Sequence, residues 1–275
     1  MSAVPPAVYL SASDVELVFK EHLDEDGLII VEDAYTPDEL QALRNGILAL
    51  ENRANSDEKS FVYQGDHLWA IWNLYELAPS LMRLAIAPDA FRLAAMYLGE
   101  PVEFCRATMM KKAPGGAATV DWHQDTSAAV ERDLGDADSS GIRDGVPHRR
   151  VSSQVLNRML VARINVEPQY VDGGCLQVVP GSHKWGKIPV DDVKTRVADS
   201  TPLFCPVPAG SILFYRPLLL HASGLNTRTD SMHQRRVIHN EFRARSVQPS
   251  QHVGWFPWKH AAECDVDGVK FRTTH

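Results

Sequence analysis

From residue 101 onward the sequence breaks into short β-rich runs separated by Gly and Pro, and this constrains the fold more than any other feature. The pattern predicts strands at roughly 102–112, 119–123, 157–166, 175–179, 203–207, 211–215, 219–223 and 235–243. About eight short strands in one stretch imply a barrel or a double-sheet jelly roll, architectures that manage their open edges by closure or by pairing two sheets. The first hundred residues have a different rhythm. "SASDVELVFKEHLDEDG" opens on a Ser/Asp cap, carries apolar residues at helical spacing and stops at Gly27. "LIIVEDAY" reads as a short strand, and "TPDELQALRNGILALENRAN" opens a second helix with a Thr cap, an early Pro and an acidic first turn. Further helices are expected around 79–86 and 88–98, the latter ending at Gly99. The expected class is mainly β with N-terminal α-helices covering one outer face of a sheet.

The chain of 275 residues reads as a single domain. It divides into a helical support region (1–100), a β core (101–245) with a lid-like insertion (126–155), and a C-terminal extension (246–275). Between Asp125 and the strand at 157 runs "TSAAVERDLGDADSSGIRDGVPHRRVSSQ", polar and glycine-containing; loops of that length inside compact domains are usually functional or disordered. No internal repeat and no separating linker is visible.

Charge narrows the partners. A net charge of −7 and a pI near 5.9 argue against a general affinity for nucleic acid or an anionic membrane. No run approaches the ~18 apolar residues that span a bilayer, and the N-terminus lacks a basic start followed by an apolar core. Cys105, Cys175, Cys205 and Cys264 are widely spaced and read as reduced, buried thiols, so a cytoplasmic location is expected. Nothing in the pattern speaks to oligomeric state.

The stretch "TVDWHQDTS" supplies the first chemistry. In a strand, side chains at i and i+2 share a face, so His123 and Asp125 can meet one cation. The best third ligand is His221, which ends the apolar run in "YRPLLLHASGLN". Two histidines and a carboxylate on one face of an octahedral ion leave three open positions, the arrangement of non-haem Fe(II) oxygenases. Taken singly, His123 reads as a strand histidine satisfied by Asp125, and His221 as a histidine at a strand end. The segment "HQRRVIHNEF" adds Arg235 and Arg236 at the start of the last strand, where a buried arginine could hold a dicarboxylate through parallel charged hydrogen bonds. A 2-oxoglutarate molecule would chelate iron by its keto-acid end and present its far carboxylate there. The plain alternative is a pair of surface arginines on an edge strand.

The order HQD, "GGCLQVVPGSHKWG", "PAGSILFYRPLLLHASGLN", "RRVIHNEF" resembles the phytanoyl-CoA dioxygenase (PhyH) family of Fe(II)/2-oxoglutarate oxygenases over most of residues 102–243. The resemblance implies a double-stranded β-helix with iron on His123, Asp125 and His221, and Arg235 as carboxylate partner assisted by Ser223. About three extra residues within "TRTDSMHQ" separate that arginine from the distal histidine, compared with the family's usual spacing, which leaves Arg236 as the alternative. The alternation agrees with Arg235, since Arg235, Val237, His239 and Glu241 share one face. Met109 matches a methionine beside the co-substrate, or is simply a core residue. Arg163 stands where related proteins often carry a large aromatic residue, making it a pocket candidate.

The implied activity is a dioxygenase consuming O2 and 2-oxoglutarate, releasing succinate and CO2 while hydroxylating, or otherwise oxidising by C–H abstraction, a small metabolite or natural-product intermediate. Asp125 is intact, which argues against halogenation, where a small residue replaces the carboxylate. A cupin-like metal- and ligand-binding protein without oxygenase activity is the alternative. Trp69, Trp72 and Asn73 in "HLWAIWNLYEL" are substrate-pocket candidates, although core packing is the commoner role of such aromatics. "GSHKWGKI" nearly spells a phosphate loop but lacks Ser or Thr after the lysine and a following helix.

Overall fold

Strand Val102–Lys112 runs between two buried environments, and its alternation sets the architecture. Ala107 and Met109 face an apolar layer, while Arg106, Thr108, Met110 and Lys112 face a cavity. The structure, a computed structural model, describes residues 7–9, 15–54, 58–116, 118–229, 234–260, 262–265 and 267–271.

This strand pairs antiparallel along its length with Arg235–Ala244. The sheet continues through Met159–Asn165 and Ile212–Tyr215 to Leu28–Glu32. Ala7–Tyr9 adds a parallel edge strand. Two hairpins, Phe61–Gln64 with His67–Ile71 and Ala262–Asp265 with Gly268–Phe271, dock against Val102–Lys112 to complete ten strands. A second sheet runs in the order Leu203–Cys205, Leu176–Val178, His221–Ser223, Val120–His123. Leu28, Ile30, Val161, Leu213 and Tyr215 of the large sheet meet Leu176, Val178 and Cys205 of the small one in a shared apolar cluster. This is the double-sheet jelly roll that the strand pattern implies.

The helices cover the outer face of the large sheet. Helix Val15–Glu25 buries Val15, Phe19 and Leu23, and helix Pro37–Asn52 buries Leu40, Leu43, Ile47 and Leu50. Spacings of three and four residues put each set on one stripe. Thr36 and Glu39 close a capping box on the second helix. Phe19, Phe91, Phe104, Phe214 and Phe242 link helices to sheet through inclined ring contacts with centroids between 5.1 and 6.4 Å apart. Each buried ring contributes roughly 1.5–3 kcal/mol, so this layer holds the large sheet from behind. Strand Met159–Asn165 is consequently buried at every position, with helices on one side and the cavity on the other.

The structure departs from expectation in three places. Residues 126–155 are not a loop: Ser127–Ala129, Val146–Arg150 and Ser139–Arg143 form a three-stranded sheet in that order. Asp144 and Gly145, at φ 48° and 77°, supply the left-handed pair of a two-residue hairpin turn. Besides the expected strand at Leu28–Glu32, the support region contributes the hairpin of Phe61–Gln64 and His67–Ile71, and the C-terminal extension ends in the second hairpin; both hairpins gain their order by pairing with Val102–Lys112. The Ser/Asp cap before Val15 lies outside the described residues. Among those residues no helix is long and apolar enough to cross a membrane.

Gly174 bridges fold and site. It sits at φ 69°, and a Cβ there would lie 2.4 Å from Gly224 O. The Gly174→Ala variant is expected to lose about 1–3 kcal/mol from backbone strain, before any loss from the clash, measured by urea unfolding.

Candidate metal centre

His123 ends one strand of the small sheet and His221 begins its neighbour, and the two are direct register partners. Their ring centroids stand 4.2 Å apart. Asp125 follows two residues on, its backbone N–H donating to Pro217 O at 2.9 Å. Its Oδ1 lies 3.6 Å from His123 Nε2 and its Oδ2 lies 3.7 Å from His221 Nε2. These separations are too long for hydrogen bonds, so Asp125 does not simply satisfy the imidazoles. One donor atom from each residue lies within 4.8 Å of the others.

The outer nitrogens settle which way the rings face. Nδ1–H of His123 donates to Asp121 O at 2.7 Å, and Nδ1–H of His221 donates to Leu219 O at 2.9 Å. Each ring therefore turns its Nε2 toward Asp125, and in the neutral form that nitrogen offers a lone pair. Two imidazole nitrogens and one carboxylate oxygen converging in this way fit a divalent first-row metal ion. Burial opposes ionisation of Asp125, but His221 and His123 hold its carboxyl well below the usual range. Burial and the neighbouring His123 push His221 down to about 4.

A relay orients the carboxylate from behind. Burial and Asp125 raise the Tyr215 phenol well above its ordinary value, keeping it protonated. Its O–H donates to Asp125 Oδ2 at 2.9 Å and its oxygen accepts from His239 Nε2 at 2.5 Å. Burial pushes His239 down to about 3, so that ring is neutral.

The three donors open into a cavity of about 290 Å³ between the sheets. Cations gather on its far side. Arg235 is buried and donates from Nε to Gln169 Oε1 at 2.7 Å and from Nη1 to Ser223 Oγ at 3.0 Å. Lys112 donates to the same Ser223 Oγ at 2.6 Å and to Ser223 O at 2.9 Å. The hydroxyl proton of Ser223 goes to Gly174 O at 3.1 Å, which leaves its lone pairs for the Arg235 and Lys112 donors. Burial, then Arg235 and Arg163, push Lys112 down to about 6. Arg163 is buried in the same wall, and its Nη2 has no partner among the described residues.

Strand alternation sorts the remaining expectations. Arg235 faces the cavity, whereas Arg236 points to the other side and pairs with Glu51 and Glu167. Trp69, Trp72, Asn73 and Arg163 all line the cavity. Asn73 also donates to Asp144 Oδ2 at 3.1 Å, tying this wall to the turn of the insertion. Met109 requires correction: it is fully buried in the apolar layer, and its neighbour Met110 lines the cavity. The two side chains of adjacent strand residues point to opposite faces, so only one can reach the site. Lys112, Gln169, Tyr215 and His239 were not anticipated. Of these, His239 had a readable signal, since strand alternation puts it on the same face as Arg235.

Residues 23–237 match the profile of the family described as Phytanoyl-CoA dioxygenase (PhyH). Comparison with curated proteins gives no match. Among solved structures, AviO1 from Streptomyces viridochromogenes Tue57 is 25% identical with a TM-score of 0.63, over 87% of this chain and 100% of that one. EctD from S. alaskensis, solved with bound Fe, is 17% identical with a TM-score of 0.66, over 91% of this chain and 84% of that one. The non-heme alpha ketoglutarate dependent carbocyclase SnoK from nogalamycin biosynthesis is also 17% identical, TM-score 0.62, over 90% and 85%. EctD has also been solved with 2-oxoglutarate and 5-hydroxyectoine. The likenesses to EctD and SnoK establish the fold.

If the three donors form one site, anaerobic titration should load one Fe(II) per chain. Asp125→Ala is expected to weaken that binding by about 100-fold or more, beyond the ~10–100-fold typical of losing an outer-shell group. Unchanged affinity in that variant would place the ion elsewhere.

Proposed function

Because the chain belongs to the phytanoyl-CoA dioxygenase family, we propose that it is an Fe(II)/2-oxoglutarate-dependent dioxygenase acting on a small metabolite or natural-product intermediate. In this reading it hydroxylates the substrate, or oxidises it by another C–H abstraction outcome. The observation that carries the reading is one cavity joining a His–Asp–His donor set to a buried cationic wall. His123, Asp125 and His221 would hold the iron. Bound iron with 2-oxoglutarate would supply dioxygen activation, with release of succinate and carbon dioxide.

The protein's own residues do the rest. Tyr215 and His239 hold Asp125 in place, so that its carboxylate keeps one orientation. Arg235 and Lys112, both donating to Ser223 Oγ, form the seat for the far carboxylate of the co-substrate. Their desolvation without a carboxylate partner is unfavourable, and an arriving anion offsets it. The insertion sheet contributes Arg143 and His148 to the cavity wall, consistent with its role as a lid. A cavity of about 290 Å³ lies just below the ~300–1,000 Å³ usual for small-molecule sites. Since it must also admit the co-substrate, a compact substrate suits it better than a coenzyme A thioester.

Succinate formation from 2-oxoglutarate, dependent on Fe(II) and O2, tests the activity; its absence in metal-loaded protein would favour the metal- and ligand-binding alternative. Arg235→Gln is expected to raise the KM for 2-oxoglutarate about 10–100-fold while Fe(II) affinity is unchanged. Lys112 yields a pH-linked prediction. With its pKa near 6, it is neutral at pH 7.5, and a carboxylate beside it raises that value. Co-substrate binding at pH 7.5 should therefore take up a proton, detectable by calorimetry in buffers of different ionisation enthalpy. Lys112→Met should abolish the uptake.

A further inference from the structure

The cavity is not evenly charged along its length. Arg235 pairs in register with Lys112, while Glu241 pairs with Arg106 six positions further along the same two strands. At ~3.4 Å per residue this separates the two ends by about 20 Å, with His239 and Thr108 paired between them. The Arg235 end is the seat assigned above to the co-substrate. The Arg106 end has its own cations. Arg106 is neutralised by an ion pair with Glu241. Arg143, from the insertion sheet, lies close enough to Arg106, Glu241 and Asp125 to feel their charges, and no described residue bonds its guanidinium.

His148 lines the same cavity and is 2% exposed. Its Nδ1–H donates to Val146 O at 3.0 Å, which makes the buried Nε2 an acceptor, and that atom has no partner among the described residues. A buried acceptor left empty carries a desolvation penalty of ~1–3 kcal/mol, and Arg143 adds a cation that Glu241 is already too committed to balance. The iron's two charges would be offset by Asp125 and the keto-acid carboxylate of 2-oxoglutarate, and the far carboxylate by Arg235, so the co-substrate does not remove this surplus.

We propose that the primary substrate is a small organic acid whose anionic group, a carboxylate or a phosphate monoester, is held by Arg143. A hydroxyl or N–H of the same molecule donates to His148 Nε2. Two anion seats then flank the metal ligands, one for each reactant, and the insertion sheet selects the substrate. The inference deepens the oxygenase reading and rests on it for the identity of the first seat.

The test is calorimetric titration of anaerobic protein loaded with Fe(II) and 2-oxoglutarate, using benzoate, phenyl phosphate and the neutral benzyl alcohol as probes. At least one acid should bind about tenfold tighter than the alcohol, and the tighter of the two identifies carboxylate or phosphate as the preferred group. Arg143→Gln should erase that advantage and Arg143→Lys should retain part of it, with 2-oxoglutarate affinity unchanged in both. The proposal is overturned if no acid exceeds the alcohol, if Arg143→Gln leaves the preference intact, or if that variant loses 2-oxoglutarate affinity instead. Failure to load Fe(II) and 2-oxoglutarate would defeat the oxygenase reading alone, because the same titrations on metal-free protein still decide whether Arg143 binds acids.

Discussion

The site depends on a single register: His221 opposite His123 in the small sheet. A slip of one residue would turn one imidazole to the other face, and no side-chain rotation could restore it. That register is secured from the opposite face of the same strand. Gln124, between the two ligands, faces the other way and donates to Leu218 O at 2.7 Å and to Gly186 O at 2.8 Å, while its Oε1 accepts from Ile188 N–H at 2.8 Å. The HQD sequence thus interleaves two functions on opposite faces: the outer residues address the cavity, and the middle one secures the strand to the loop before His221.

The second organising constraint is electrostatic. Buried cations are unfavourable unless paired, yet Arg163 and Arg235 are both largely withdrawn from water on one wall, where burial and their charges push the proton off Lys112. The partners of Arg235, Gln169 Oε1 and Ser223 Oγ, moderate its desolvation without cancelling the charge. A pocket built this way is poised for an anion. The contrast with Arg236 is instructive, because that residue has Glu51 and Glu167 as full ionic partners and serves to join helix Pro37–Asn52 to the sheet. Adjacent arginines on one strand therefore do opposite work, one stabilising the assembly and the other prepared for a ligand.

Much of this was legible in the sequence because strand periodicity is a strong signal. The spacing of His123 and Asp125, the apolar run before His221 and the alternation from Arg235 to Glu241 each assign a face without a structure. Alternation assigns no face where both faces of a strand are buried: "MM" at 109–110 offers two apolar neighbours, and only the sheet decides that Met110 meets the cavity. Lys112 was hidden for a different reason. Lysine is normally solvated, and only its pairing with Arg235 and capture by Ser223 reveal a buried role. The insertion sheet was obscured because its strands carry few apolar residues, taking their order from a tight Asp144–Gly145 turn and from Asn73 and Ser60 gripping Asp144.

The central claim is that His123, Asp125 and His221 share one ferrous ion whose keto-acid partner reaches Arg235. An anaerobic crystal structure with Fe(II) and 2-oxoglutarate, recorded at the iron absorption edge, tests it most directly. The account predicts one anomalous peak within bonding distance of both Nε2 atoms and an Asp125 oxygen, with the far carboxylate of 2-oxoglutarate on Arg235. A peak away from these residues, or a keto acid bound with its tail remote from Arg235, would contradict it.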